Sequence, residues 1–233
     1  HTDAAYGGYF GLAANLGNEA RAAFDRIGEV DSLVIDPHKH GLQPYGCGCV
    51  LFSDPNVGRL YKHDSPYTYF SSTELHLGEI SLECSRAGAA AVALWATQRL
   101  LPLVRGGEFA GMLAQCRSAA LALYERLAAD PRFLVGFAPE LDIVVWAVRP
   151  ALGASARAIF EEAARRGLHL ALAELPGVFF GLEGEESISC LRSVQMKPEH
   201  ADLEWQEKLW HLLSEATDAV VSRWEPLGAE VIK

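Results

Sequence analysis

The chain has 233 residues, 50% hydrophobic and 21% charged, and its 20 Lys and Arg against 30 Asp and Glu leave a net charge of −10. That composition is ordinary for a soluble globular protein of one or two domains, and the acidic balance argues against nucleic acid or an anionic membrane as a partner. No apolar run reaches the length of about 18 residues that a membrane span needs. Five cysteines, at 47, 49, 84, 116 and 190, are odd in number and form no disulfide framework, which points to reduced thiols in a cytoplasmic protein. Cys47 and Cys49 stand too close together for a zinc knuckle and lack a second pair, so no metal site is expected.

The chain opens on HTDAAYGG, where Asp3 precedes two small residues and a Gly pair, a pattern that fits the end of a strand. The following GGYFG lacks the GxxxxGK[ST] pattern of a phosphate loop and reads as a turn. Asn18 is placed to cap a helix from Glu19 to Ile27, with Ala20, Ala23, Phe24 and Ile27 on its inner face and Gly28 beyond its end. Leu33, Val34 and Ile35 then form an apolar run of the length of a buried strand, which Pro37 ends because it has no N–H for a central ladder. Strand, helix, strand in that order favours a parallel βαβ-like unit. Asp36, His38 and Lys39 therefore stand at or just past a strand's C-terminal end, the edge where open α/β sheets bind ligands. A turn rich in Gly and Pro (Gly41, Pro44, Gly46, Gly48) leads to a second strand, Cys49 to Phe52, expected to return to the core. A charged amine between two buried strands needs a partner or a chemical conversion, and a Schiff base with a carbonyl cofactor is one such conversion.

Asp54 is placed to cap a short helix through Leu60, and Lys62 to Leu82 reads as a long surface loop. Ser85 to Val104 is apolar almost all round, as in a helix buried within a large protein, and Pro102 disrupts its end. A second domain is expected to start near Gly106. Its first helix carries Phe109, Met112, Leu113, Cys116, Ala120, Leu123, Tyr124 and Leu127 at helical spacing. Strands are expected over Phe133 to Phe137, Leu141 to Val148, His169 to Ala173, Val178 to Phe180 and Ile188 to Val194. Between them Ser155 caps a helix closed by Gly167, and Pro198 starts a last helix with a stripe of Leu203, Leu209, Trp210, Leu213, Val220 and Trp224. This half is an α+β domain.

Read together, HTDAAYGG, DPHK, PYGCG and SLECSRAG resemble the pyridoxal-phosphate-dependent amino-acid decarboxylases of the glutamate, aromatic-amino-acid and tyrosine group. The resemblance runs the length of the chain but covers only about the C-terminal half of such an enzyme, so a piece of a longer protein is expected. It implies an α/β architecture of PLP-dependent transferase fold type I, the aspartate-aminotransferase-like fold. Residues 1–105 would be the later part of the cofactor domain and residues 106–233 the small C-terminal domain. It further implies pyridoxal 5'-phosphate as cofactor, with Lys39 as Schiff-base lysine and Asp3 as the carboxylate beside the pyridine nitrogen. Ala5 would lie against the ring, although small core packing explains it equally. His38 would face the phosphate, with a satisfied buried imidazole as the alternative. Arg192, in ISCLRSVQMKP, is similar in place to an arginine that holds the substrate carboxylate, and a surface ion pair would explain it as well. Arg86 is expected to serve a structural ion pair, and His1, His40 and Asp36 only to support the strand ends.

Ser71 and Ser72, in PYTYFSSTELH, fall where relatives reach into a neighbouring subunit's phosphate site, which implies a homodimer with shared active sites. The stretch from Thr73 to Ile80 is short and has no tyrosine, unlike the mobile loop of longer relatives, so Tyr67, Tyr69 and His76 are the available proton-donor candidates. The implied reaction is decarboxylation of an L-amino acid to an amine and carbon dioxide. Carbon–carbon cleavage as in sphingosine-phosphate lyases, amino transfer, and a non-catalytic module remain alternatives.

Overall fold

The computed structural model describes residues 1–62, 88–184 and 186–224. The chain divides into two compact units, His1–Ala110 and Gly111–Lys233. Ser71, Ser72, Tyr67, Tyr69, His76 and Arg86 lie outside the described residues.

In the first unit β1 (Thr2–Asp3) pairs in parallel with β2 (Ser32–Ile35), and helix α1 (Asn18–Asp25) connects them, as the expected βαβ order requires. The ladder continues past both strands, through Ala4 N–H to Val34 C=O at 3.0 Å and Asp36 N–H to Ala5 C=O at 3.1 Å. The residues after the two strands are thus held at one edge. β3 (Cys49–Phe52) pairs antiparallel on the other side of β2, with Ile35 opposite Cys49. Several expectations change here. Gly17, not Asn18, occupies the N-cap of α1, and Ala23 is exposed. GGYFG forms a short 3-10 helix, Gly8–Leu12, in which Gly8 lies against the Ile35 side chain. β2 is half-buried, and β3 is an edge strand with Val50, Leu51 and Phe52 exposed rather than a return to the core. The apolar segment after residue 88 forms α2 (Ala89–Leu100), yet Val92, Trp95 and Leu100 are exposed. Its apolar character would fit burial only if further structure lay against it. Asp54 does cap the 3-10 turn Pro55–Leu60, accepting from Asn56 N–H at 2.9 Å.

In helix α3 (Glu108–Ala129), Phe109, Leu113, Cys116, Ala120, Leu123 and Leu127 are buried along the expected stripe. The second unit holds an antiparallel sheet in the order β4-β5-β7-β6, formed by Phe133–Leu134, Ile143–Val148, Ile188–Val194 and Ala171–Leu175 respectively. One face packs Val144, Trp146 and Leu191 against helices α3, α4 (Ala156–Arg165) and α5 (Leu203–Trp224), with Ile159 and Leu213 fully enclosed. The other face is partly covered where Phe180 packs on Ala147 and Cys190. Ser155 caps α4 as expected, accepting from Ala158 N–H at 3.1 Å. The expected strand Val178 to Phe180 is instead a 3-10 turn, Gly177–Phe180, closed by Gly181 at φ 69°. β4 ends at Leu134, because Gly136 lies so close to the Phe179 carbonyl that no side chain fits between them. Leu203, at the start of the last stripe, is exposed.

The second unit is pinned by Arg132. It bonds Asp130 through Nη2 at 2.6 Å, Asp218 at 2.5 Å and Ser214 Oγ at 2.9 Å, joining the end of α3 to α5. Burial opposes charge on Asp130, but the Arg132 hydrogen bonds outweigh it and hold the carboxyl below its ordinary value. A carboxyl depressed in the folded state contributes stability above its unfolded value, about 3.9 for Asp, and loses it as pH falls through the folded value. Asp130→Asn should therefore lower the thermal midpoint at pH 7, and its gap from wild type should close below about pH 4. Calorimetry across that range checks this, and a gap that is constant with pH would contradict it.

Candidate active site

The parallel pairing of β1 and β2 brings two chemically unlike groups to one sheet edge. Asp3 ends β1 with its side chain exposed, and its Oδ1 accepts from Ala5 N–H at 3.1 Å, a short turn that fixes the carboxylate. Past the end of β2, Asp36, Pro37, His38 and Lys39 form a tight turn closed by Lys39 N–H to Asp36 C=O at 2.9 Å. Gln43 N–H to Pro37 C=O at 3.1 Å closes the loop behind it. The Gln43 side chain then ties the loop to α2 through Thr97 Oγ1 at 2.8 Å.

That turn sets the environment of Lys39. Its Nζ lies 3.0 Å from Asp36 Oδ2 and 6.0 Å from the centre of the Tyr6 ring, and its side chain is 32% exposed. The amine is thus paired with Asp36 yet still reachable from solvent. His38 donates from Nδ1 to the Cys47 carbonyl at 2.9 Å, stacks on Tyr45 with centroids 5.3 Å apart, and turns Nε2 towards Asp36 Oδ2 at 3.7 Å. A carbonyl only accepts, so Nδ1 carries a proton and a neutral ring leaves Nε2 as an acceptor. His40, buried, bonds the Tyr6 carbonyl at 2.8 Å and meets the Tyr6 and Phe10 rings edge-on. His1 bonds Ser32 Oγ at 2.8 Å, joining the starts of the two strands. Both therefore support the strands.

Of the residues singled out in the sequence, the structure gathers Asp3, Ala5, His38 and Lys39 at this edge. Arg192 lies in the second unit on β7, opposite Val145 and Ala171, on the face away from the helical core. It is exposed and makes no hydrogen bond or ion pair among the described residues. Two neighbours of Lys39 escaped sequence reasoning, Asp36 as its ion-pair partner and Tyr6 beside it. The three-residue spacing of Asp36 and Lys39 across Pro37 was the available signal. Among the described residues no group of three or more His, Cys, Asp or Glu is arranged to hold a metal ion.

The donor set suits an aldehyde cofactor with a basic ring nitrogen. A reachable primary amine stands in the turn after β2, and a fixed, exposed carboxylate ends the neighbouring parallel strand β1. Comparison with known proteins points to one family. The family model described as the pyridoxal-dependent decarboxylase conserved domain matches residues 1–149. An L-tyrosine decarboxylase of Enterococcus faecium is 33% identical over 132 residues, covering 44% of this chain and 22% of that protein. An aspartate 1-decarboxylase of Aliivibrio fischeri is 38% identical over 90 residues, covering 39% of this chain and 16% of that protein. In structure the chain is similar to Catharanthus roseus tryptophan decarboxylase in complex with L-tryptophan. The TM-score is 0.69 at 20% identity, over 94% of this chain and 44% of that one. This chain therefore spans well under half the length of these proteins.

Proposed function

Since the chain belongs to the pyridoxal-dependent decarboxylase family and has the type I fold of those enzymes, we propose that it carries the lysine-bearing part of a site that decarboxylates an L-amino acid to an amine and carbon dioxide. The observation that carries this reading is the pairing of a reachable Lys39 amine with the Asp3 carboxylate at the ends of two adjacent parallel strands. In this reading residues 1–105 belong to the cofactor domain and residues 106–233 form the small C-terminal domain.

Pyridoxal phosphate, when bound, supplies a conjugated ring that accepts the electron pair released at the substrate's Cα. Lys39 would hold the cofactor through its amine, which could also serve as an acid or base towards the substrate. Asp3 would sit with its carboxylate beside the ring nitrogen and stabilise a positive charge there. Ala5, two residues on, would leave room for a flat ring. His38, next to Lys39 in the chain, would face the phosphate, and Arg192 would offer a guanidinium fork to the substrate carboxylate. Ser71 and Ser72 complete a partner subunit's phosphate site in a homodimer, a reading supported by the resemblance. The free thiols of Cys47, Cys49, Cys116 and Cys190 support a cytoplasmic location, and no described helix is long and apolar enough to cross a membrane.

The test is the product formed. With pyridoxal phosphate and L-tyrosine or L-aspartate, the substrates named for its relatives, the protein should release carbon dioxide and the corresponding amine. An aldehyde from an amino-alcohol phosphate, or a keto acid, would replace decarboxylation with cleavage or amino transfer.

A further inference from the structure

Asp36 has one carboxylate and two nitrogen partners. Its Oδ2 lies 3.0 Å from Lys39 Nζ and 3.7 Å from His38 Nε2, and its side chain is only 16% exposed. Its backbone is fixed from both sides, by Asp36 N–H to Ala5 C=O and by Lys39 N–H to its own carbonyl. The groups facing the Lys39 amine are thus the Asp36 carboxylate, the neighbouring His38 imidazole and the Tyr6 ring. Among the described residues, the Asp36 carboxylate is the one that pairs with the amine at hydrogen-bond distance.

Resting on the cofactor reading above, we propose that Asp36 is a positioning residue that ties the Lys39 amine in an ion pair, which must open before Lys39 can react with a carbonyl compound. An ammonium has no lone pair to add to a carbonyl carbon. Nζ must first lose a proton to solvent, and only then can its electron pair form the new bond to carbon, water leaving as the carbonyl oxygen departs. While the pair at 3.0 Å is closed, Asp36 occupies the amine and keeps it from a carbonyl carbon.

Competitive labelling tests this. Limited reductive methylation with formaldehyde and cyanoborohydride, followed by peptide mapping, gives the rate at Lys39 relative to Lys197 and Lys208, two exposed lysines that act as internal references. Asp36→Asn keeps the shape and the backbone bonds but removes the charge. It should raise the Lys39 to Lys197 ratio about two- to five-fold, the scale of a partly exposed ion pair, whereas Asp36→Glu should stay nearer wild type. In wild type, raising the salt concentration should increase the same ratio, because the pair is partly open to screening; this measurement needs no variant to fold. A ratio unmoved by Asp36→Asn and by salt would overturn the proposal while leaving the cofactor reading intact. The same comparison with pyridoxal phosphate and borohydride separates the two. If Lys39 is labelled no faster than Lys197 in wild type and in Asp36→Asn, the cofactor reading fails, and the proposal with it.

Discussion

Lys39→Ala should abolish covalent capture of pyridoxal phosphate at the site while leaving the fold in place. The chain has four other lysines, at 62, 197, 208 and 233, so after borohydride trapping any remaining label should be spread over these at background levels. The absorbance that pyridoxal phosphate acquires on binding the protein should vanish with it. Turnover should fall by about 10² to 10⁴, the range that a positioned acid–base group contributes, even if the cofactor is retained by its other contacts. Stability should change little, because Lys39 is a third exposed and its pair with Asp36 is of the partly solvated kind, worth at most about 1 kcal/mol. The variant does leave Asp36 without its closer partner, but His38 remains beside it. Equal capture of cofactor by wild type and Lys39→Ala would sink the assignment of Lys39, and unfolding of the variant would show that the pair with Asp36 is structural.

The edge that carries Lys39 was legible because its determinants are local. A three-residue apolar run and the break at Pro37 place the end of β2, and the small residues after Asp3 place the end of β1. The pairing of the two strands then follows from the connection through α1. What pairs with Lys39 was not legible. Asp36 reaches it only because the turn folds back through Lys39 N–H to Asp36 C=O, and the same DPHK in an extended loop would hold the two side chains apart. Asp36 was accordingly expected to support the strand alone.

Misreadings elsewhere have a similar origin. Val178, Phe179 and Phe180 are good strand formers, but three residues are too few for periodicity to separate a strand from a turn. Pro176 and the left-handed Gly181 confine them to a 3-10 turn that buries only Phe180 of the three. For α2 the error is one of range. An apolar helix surface reports that something should cover it, not what, and Val92 and Trp95 remain exposed. By contrast, α3 was legible residue by residue, because its stripe of Phe109, Leu113, Cys116, Ala120, Leu123 and Leu127 repeats over many turns and each of these is buried. In the candidate site, Asp3 and Lys39 were accessible through motif and strand logic. Tyr6 and Asp36 were not, because they matter only through where a turn places them.

Gly41→Ala should disable the site without touching a functional group. A methyl at position 41 would stand 2.6 Å from the Tyr9 hydroxyl oxygen and 2.7 Å from the Pro37 Cα, both inside any permissible contact. Neither neighbour can yield easily. Tyr9 is 5% exposed and packs edge-on to Phe109 with centroids 5.6 Å apart, and burial pushes its phenol up to about 12, so it stays neutral and cannot gain solvation by ionising. Pro37 is backbone, in the turn that positions Lys39. The next residue, Leu42, already has φ 59°, a left-handed conformation costly for a branched side chain, so the loop has little freedom to absorb the displacement. The loop must therefore move off Tyr9, straining the bond from Gln43 N–H to Pro37 C=O and the tie from Gln43 to Thr97. Overpacking of this kind costs about 1–3 kcal/mol, and the displaced segment is the one carrying Asp36, His38 and Lys39. The expected result is a lower thermal midpoint together with slower capture of pyridoxal phosphate at Lys39. Adding Tyr9→Phe removes the hydroxyl but not the Pro37 Cα, so the double variant should recover only a minor part of either loss. Full recovery would assign the constraint to the Tyr9 hydroxyl alone, and a Gly41→Ala protein with wild-type stability and capture would show that the loop can shift without disturbing Lys39.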